Sequence, residues 1–196
     1  MEDKNIRLAI FASGTGSNAA TMMDYFSTHS TIEVVLVVCN KKGASVLDKA
    51  AARGVETFLI PDKAYFYDSA EILVLLEQRK VTHVVLAGFL WLVPSYLLKK
   101  YTDKVVNIHP ALLPNYGGKG MYGAKVHEAV WHAKDTQTGI TIHVCNEEYD
   151  KGQILFQATC TLDSEDTPET IAQKVHQLEH AHFSEVVERW VTNTEG

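Results

Sequence analysis

The first 110 residues alternate short, continuously apolar, β-rich runs with longer amphipathic stretches, and no other feature constrains the fold so strongly. The runs are Arg7–Ala12, Glu33–Cys39, Thr57–Ile60, His83–Ala87 and Lys104–Ile108. Between them, Asn18–Phe26, Ser45–Arg53, Ser69–Gln78 and Pro94–Lys99 place apolar residues at helical spacing. Strands that are apolar throughout need cover on both faces, so the alternation predicts a parallel sheet packed between helices. The crossovers are expected to be right-handed. The 196 residues fit one domain spanning 1–196. A chain of this length buries roughly 70% of its unfolded surface and needs no disulfide or metal to fold.

After Pro110 the rhythm changes. Leu112–Gly123 reads as a loop, with Pro114 and four glycines. A helix over Ala124–Ala133 follows, then strands over Gly139–Asn146 and Ile154–Thr161. The Glu147–Gly152 connection is too short for a helical crossover, so these strands are expected to be antiparallel neighbours. Thr167 as N-cap and Pro168 at the first helical position open a long C-terminal helix, through Ala181 towards Trp190. The predicted fold class is α/β: a doubly wound, mostly parallel sheet with an antiparallel C-terminal strand extension and a long C-terminal helix. Ligands then belong at the carboxyl ends of the strands.

Charge and cysteine usage narrow the partners. With 24 acidic residues against 18 basic ones, the net charge of −6 argues against a nucleic-acid backbone or an anionic membrane. Cys39, Cys145 and Cys160 form no C-x-x-C pair and read as buried thiols in a reducing compartment. The polar, acidic start is unlike a signal peptide, and no apolar stretch nears the roughly 18 residues that span a bilayer. The expected location is the cytoplasm.

Three constellations fall at the expected ligand edge. Ala12-Ser13-Gly14-Thr15-Gly16-Ser17-Asn18 follows the first strand and opens the first helix, where amide N–H groups and the helix dipole favour an anion. It is a poor dinucleotide fingerprint, because the second strand closes on Cys39-Asn40-Lys41-Lys42 and no carboxylate awaits a ribose diol. No Gly-Lys-Ser/Thr makes it a P-loop. A single phosphate suits it, and a ligand-free glycine turn is the alternative. At the end of the fifth strand, Asn107 and His109 lie two residues apart on one face, an amide donor beside a titratable imidazole. Glu147-Glu148-Tyr149-Asp150-Lys151-Gly152 places a carboxylate within reach of that edge, where pairing would raise the His109 pKa. Read separately, the latter two pass as a capped strand terminus and an acidic turn.

The nine histidines suggest no metal. His127, His132, His176, His180 and His182 fall at helical spacing, but no H-E-x-x-H or C-x-x-C accompanies them. Most read as surface or partly buried helix residues.

Together these pieces resemble the phosphoribosylglycinamide formyltransferase family, folate-dependent enzymes of purine synthesis. The resemblance runs from Arg7 to Trp190 and rests on several motifs: Gly14-Thr15-Gly16-Ser17-Asn18, Leu86-Ala87-Gly88-Phe89, Asn107-x-His109-Pro110-x-Leu112-Leu113-Pro114, Thr138-Gly139-x-Thr141-x-His143, Asp150-x-Gly152 and Glu179-His180. It implies formyl transfer from 10-formyltetrahydrofolate, the co-substrate, to glycinamide ribonucleotide. Asn107, His109 and Asp150 would be catalytic. Thr15, Gly16, Ser17, Asn18, His176 and Glu179 would hold the ribonucleotide. Leu90, Trp91, Leu92, Val93, Asn107, Asn146, Glu147, Glu148, Tyr149 and Asp150 would line the folate site. The Leu113–Pro114 peptide would be cis.

Two departures bear on the folate glutamate tail. Trp91 stands where an arginine is usual, and no arginine occurs between Gly54 and Gln78, leaving Lys63. The family comparison implies small-molecule partners only, with the chain a monomer or homodimer. A formyltetrahydrofolate hydrolase would be expected to carry a preceding regulatory domain, and methionyl-tRNA formyltransferase a following RNA-holding one. A non-catalytic phosphate-binding relative is the alternative from another class.

Overall fold

The computed structural model describes residues 5–148 and 150–193, in the order β1 (Ile6–Ala12), α1 (Ser17–Phe26), β2 (Ile32–Cys39), α2 (Ser45–Ala51), β3 (Glu56–Leu59), α3 (Lys63–Tyr67), α4 (Glu71–Gln78), β4 (His83–Leu86), α5 (Ser95–Lys100), β5 (Val105–His109), α6 (Ala124–Ala133), β6 (Gln137–Val144), β7 (Ile154–Thr161) and α7 (Pro168–Asn193). The seven strands form one sheet in the order β3-β2-β1-β4-β5-β6-β7. Strands β1 to β5 pair in parallel, whereas β6 runs antiparallel to β5 and β7 antiparallel to β6. The predicted fold class is what the chain adopts.

The central strands are covered on both faces, as their apolar runs require. Ile6, Leu8, Ile10 and Ala12 of β1 face one layer with Met22, Phe26, Val187 and Trp190 from α1 and α7. Ala9 and Phe11 face the other, with Phe66, Ile72, Leu76 and Leu97 from α3, α4 and α5. Each fully buried side chain of this size contributes about 1.5–3 kcal/mol by leaving water. Among the described residues, no helix is long and apolar enough to cross a membrane.

Several boundaries differ from the sequence expectation. Helix α3 falls in a stretch read as connection; Asp62 starts it by accepting the Tyr65 amide at 2.8 Å. Left-handed Ala70 (φ 53°) then separates α3 from α4, which starts at Glu71 and not at the expected Ser69. Strand β5 reaches His109 because that residue pairs with Thr141. Strand β6 spans Gln137–Val144 instead of Gly139–Asn146, since Asn146 leaves the ladder to accept the Glu148 amide at 2.9 Å. Cys39 is buried, but Cys145 and Cys160 are only half-buried.

Candidate active site

Strand β1 has β2 on one side and β4 on the other, so connections depart in opposite directions from the carboxyl ends of β1 and β4. A doubly wound sheet opens a crevice at such a switch point. Here a cavity of about 660 Å³ lies against the loops after β1 and β4 and against the end of β5. The loops are joined: the Ser13 amide donates to Gly88 O at 3.0 Å, and the Leu90 amide to Ser13 Oγ at 2.9 Å.

Thr15, Gly16, Ser17 and Asn18 form part of the cavity wall at the start of α1. Gly16 caps the helix with φ 67°, and a Cβ there would lie 2.3 Å from Val46 Cγ2, so position and space both demand glycine. No side chain caps α1 and no acid occupies its first turn. Its first amides and positive dipole end therefore meet no cap or acid from their own turn. Asn18 ties this turn to α7, its Nδ2 donating to Glu179 Oε2 at 2.8 Å. Asn18 Oδ1 is buried without a partner among the described residues. Burial pushes the Glu179 carboxyl up, opposed by the Asn18 bond and the charges of His176 and His180. His176 also lines the cavity, its Nε2 3.9 Å from Glu179 Oε2.

Asn107 and His109 share the face of β5 that carries Val105, opposite Val106 and Ile108. Antiparallel pairing sets His143 directly across from Asn107. His143 Nδ1 lies 3.2 Å from Val144 O, which calls for a proton on that nitrogen. Its Nε2 lone pair then accepts from Asn107 Nδ2 at 3.1 Å. One amide hydrogen of Asn107 is thereby fixed, and the second is left for a ligand.

His109 is 3% exposed, and its Nε2 is 2.8 Å from Tyr116 O, so Nε2 carries a proton. Its Nδ1 is 3.8 Å from Asp150 Oδ2, while Asp150 Oδ1 is 3.6 Å from His143 Nε2. The Gly118 amide donates to Asp150 Oδ2 at 2.8 Å. Burial raises the Asp150 pKa, but the neighbouring His143, the Gly118 amide and His109 outweigh it, so the carboxyl sits below its ordinary range.

One expectation is corrected here. Pairing with Asp150 does not raise the His109 pKa above that of an ordinary imidazole. Burial is the largest influence and pushes it down, with His143 assisting, while Asp150 and the Tyr116 carbonyl only partly restore it. His109 is therefore neutral before reaction, with its Nδ1 lone pair turned towards a carboxylate that welcomes a proton there.

The remaining predicted residues divide. Leu90, Trp91, Leu92, Val93, Asn146 and Glu148 all line the cavity. Glu147 does not, its carboxylate lying 3.7 Å from Lys99 Nζ. Tyr149 lies outside the described residues. Lys63 Nζ is held 5.8 Å from the centroid of the Trp91 ring, so the two departures noted in the sequence touch one another. The Leu113–Pro114 peptide is cis.

Sequence reading missed His143, Tyr116, Gly118 and His127 as site residues. His143 could have been found from strand alternation, being two residues from Thr141 on a strand expected near β5. His127 was grouped with surface or partly buried helix histidines, yet it is 5% exposed and lines the cavity. Burial lowers its pKa to about 4, with contributions from His176 and His109. No local pattern signals that position.

A crevice at the switch point, an uncapped helix start and a carboxamide, imidazole and carboxylate grouped around one cavity mark a doubly wound α/β fold with its candidate site at the carboxyl ends of the strands. The formyl transferase family profile matches residues 6–187, and the chain belongs to that family. It is 39% identical over 191 residues to a chloroplastic phosphoribosylglycinamide formyltransferase of Arabidopsis thaliana, covering 95% of this chain and 65% of that protein. The Bacillus subtilis (strain 168) phosphoribosylglycinamide formyltransferase is 34% identical over 187 residues, 93% of each chain. The crystal structure of the Bacillus halodurans phosphoribosylglycinamide formyltransferase superposes with a TM-score of 0.84 at 32% identity, covering 96% of both chains. The chain thus spans 65% of the length of the Arabidopsis relative and 60% of a Vigna unguiculata one, but nearly the whole of the bacterial proteins.

Proposed function

We propose that this chain transfers the formyl group of 10-formyltetrahydrofolate to the amine of 5'-phosphoribosylglycinamide, as a single formyltransferase domain acting in the cytoplasm. The observation that carries the reading is that the uncapped start of α1 and the Asn107–His109–Asp150 set face one cavity. A phosphate on the first amides of α1 would place the rest of a small substrate along the wall formed by Asn18 and Glu179. The folate would take the stretch from Leu90 to Val93 and the 146–150 loop. The names of the relatives point to formyl transfer and to phosphoribosylglycinamide.

The chemistry follows from the protonation states. The amine attacks the formyl carbon, and the carbonyl oxygen takes up negative charge, which the free Asn107 amide hydrogen stabilises. The nitrogen becomes cationic on attack and loses its proton to His109 Nδ1. The imidazolium so formed faces Asp150. It then delivers that proton to N10 of the folate as the carbon–nitrogen bond breaks, releasing tetrahydrofolate and the formylated amide. No covalent enzyme intermediate forms, and no metal takes part in this scheme.

The test separates transfer from hydrolysis. Folate deformylation is expected to be slow alone and to rise steeply when the ribonucleotide is added, with the formyl group recovered on the glycinamide nitrogen. Formate accumulating at one rate with or without the ribonucleotide would make the chain a hydrolase. A transferase uses remote phosphate binding to orient its nucleophile, which a hydrolase does not need.

Ser17→Asp checks the cradle by setting a negative charge where the phosphate belongs. The KM for the ribonucleotide is expected to climb about tenfold or more, through like-charge repulsion at a helix start that otherwise favours anions. The KM for the folate should stay nearly constant. Equal rises in both would remove the phosphate from the start of α1.

A further inference from the structure

The loop at residues 116–118 is bonded to both His109 and Asp150. Tyr116 O accepts the His109 Nε2–H at 2.8 Å, and two residues on, the Gly118 amide donates to Asp150 Oδ2 at 2.8 Å. Gly117 between them leaves no room for a side chain: a Cβ would lie 2.6 Å from Leu113 Cδ2 and 3.3 Å from Asp150 Cβ. Tyr116 has φ 54°, a left-handed conformation that bulky L-residues adopt only when their surroundings hold it.

An outside tether does hold it. Tyr116 Oη donates to Asp135 Oδ2 at 2.6 Å, a short, charge-assisted bond to the turn between α6 and β6. That bond pushes the phenol pKa up to about 12, so it remains a donor at any working pH. Neither Tyr116 nor Asp135 lines the catalytic cavity; they flank a separate polar cleft of about 250 Å³. Any effect of this pair on chemistry must therefore pass through the loop.

We propose that Tyr116 and Asp135 form a positioning clamp, which locks the 116–118 loop so that the Tyr116 carbonyl fixes His109 with its proton on Nε2 and its Nδ1 lone pair towards the reacting amine. The proposal deepens the formyl-transfer reading and rests on it. Without the carbonyl, the ring is free to carry its proton on either nitrogen, and in the wrong tautomer it presents no base. The titratable groups facing His109 are Asp150 from the loop before β7, His143 from β6 and His127 from α6.

Three single variants and one double variant of the full chain test this with the formyl folate and the ribonucleotide. Tyr116→Phe and Asp135→Ala are each expected to lower kcat about 3- to 10-fold, the range one net hydrogen bond spans, with both KM values within about twofold. The double variant should be no slower than either single, because the two side chains act as one unit. Asp135→Asn still accepts the phenol proton and should stay within about twofold of wild type. Imidazole NMR of the ligand-free protein gives a readout that a purely structural role would not move. Wild type should show His109 protonated on Nε2, whereas Tyr116→Phe should mix the tautomers and move the titration down, because the Tyr116 carbonyl is one of the two groups that favour the imidazolium. The clamp is overturned if the single variants keep wild-type kcat and wild-type His109 spectra. It is equally overturned if kcat falls with those spectra unchanged, or if Asp135→Asn loses as much as Asp135→Ala. Should wild type fail to transfer formyl while the spectra change as described, the clamp stands and the functional reading falls.

Discussion

His109→Ala is expected to lower kcat by about 10²–10⁴-fold while both KM values change little, because a general base is used in the transition state and not in ground-state binding. In the proposed mechanism this imidazole has both proton-transfer roles. It starts neutral because burial depresses its pKa, so it can take the proton that the attacking amine must lose. It finishes protonated beside Asp150, so it can return that proton to the leaving nitrogen. The alanine variant also leaves Tyr116 O without its donor, an unsatisfied buried acceptor worth about 1–3 kcal/mol of stability. Melting curves must therefore accompany the kinetics. His109→Gln supplies an amide donor for the carbonyl without a usable base, and it should be as slow as alanine while melting nearer to wild type. Near-wild-type turnover in either variant would remove His109 from the mechanism.

The fold was legible because its signal is local and repeated. Runs such as Val34 to Cys39 are buried on both faces, and sequence periodicity reports such burial directly. The position of the glycine-rich loop after β1 and that of Asn107 with His109 were legible for a related reason: each sits on one element whose end has a defined place in a doubly wound sheet. What escaped were relations between elements. The tie from Tyr116 to Asp135 crosses 19 positions, and the one from Asn107 to His143 crosses 36. Helix α3 was missed because five residues carry too little periodicity to register. The sign of the His109 shift was misjudged for a physical reason. A carboxylate can be inferred from a nearby acidic turn, but the depth of burial that outweighs it is set by the whole packed sheet.

That competition makes Asp150→Asn the sharper test of the pair. Asparagine still accepts the Gly118 amide through its carbonyl, so the 116–118 loop keeps its anchor and the change is confined to charge. Asp150 favours the imidazolium, so its loss lets burial and His143 depress the His109 pKa further. The group that must be deprotonated in the free enzyme then titrates lower, and the acidic limb of the kcat/KM profile moves to lower pH. At neutral pH the base is already neutral in both proteins, so no activity is regained. Instead kcat should fall about 10- to 100-fold, since the imidazolium formed during attack has lost a partner worth about 1.5–3 kcal/mol. The two effects have a common origin but opposite senses at low pH, where the variant holds its base unprotonated longer than wild type. An acidic limb that stays in place, or moves up, would show that Asp150 does not face the imidazolium during turnover. Its low pKa would then serve His143 and Gly118 alone.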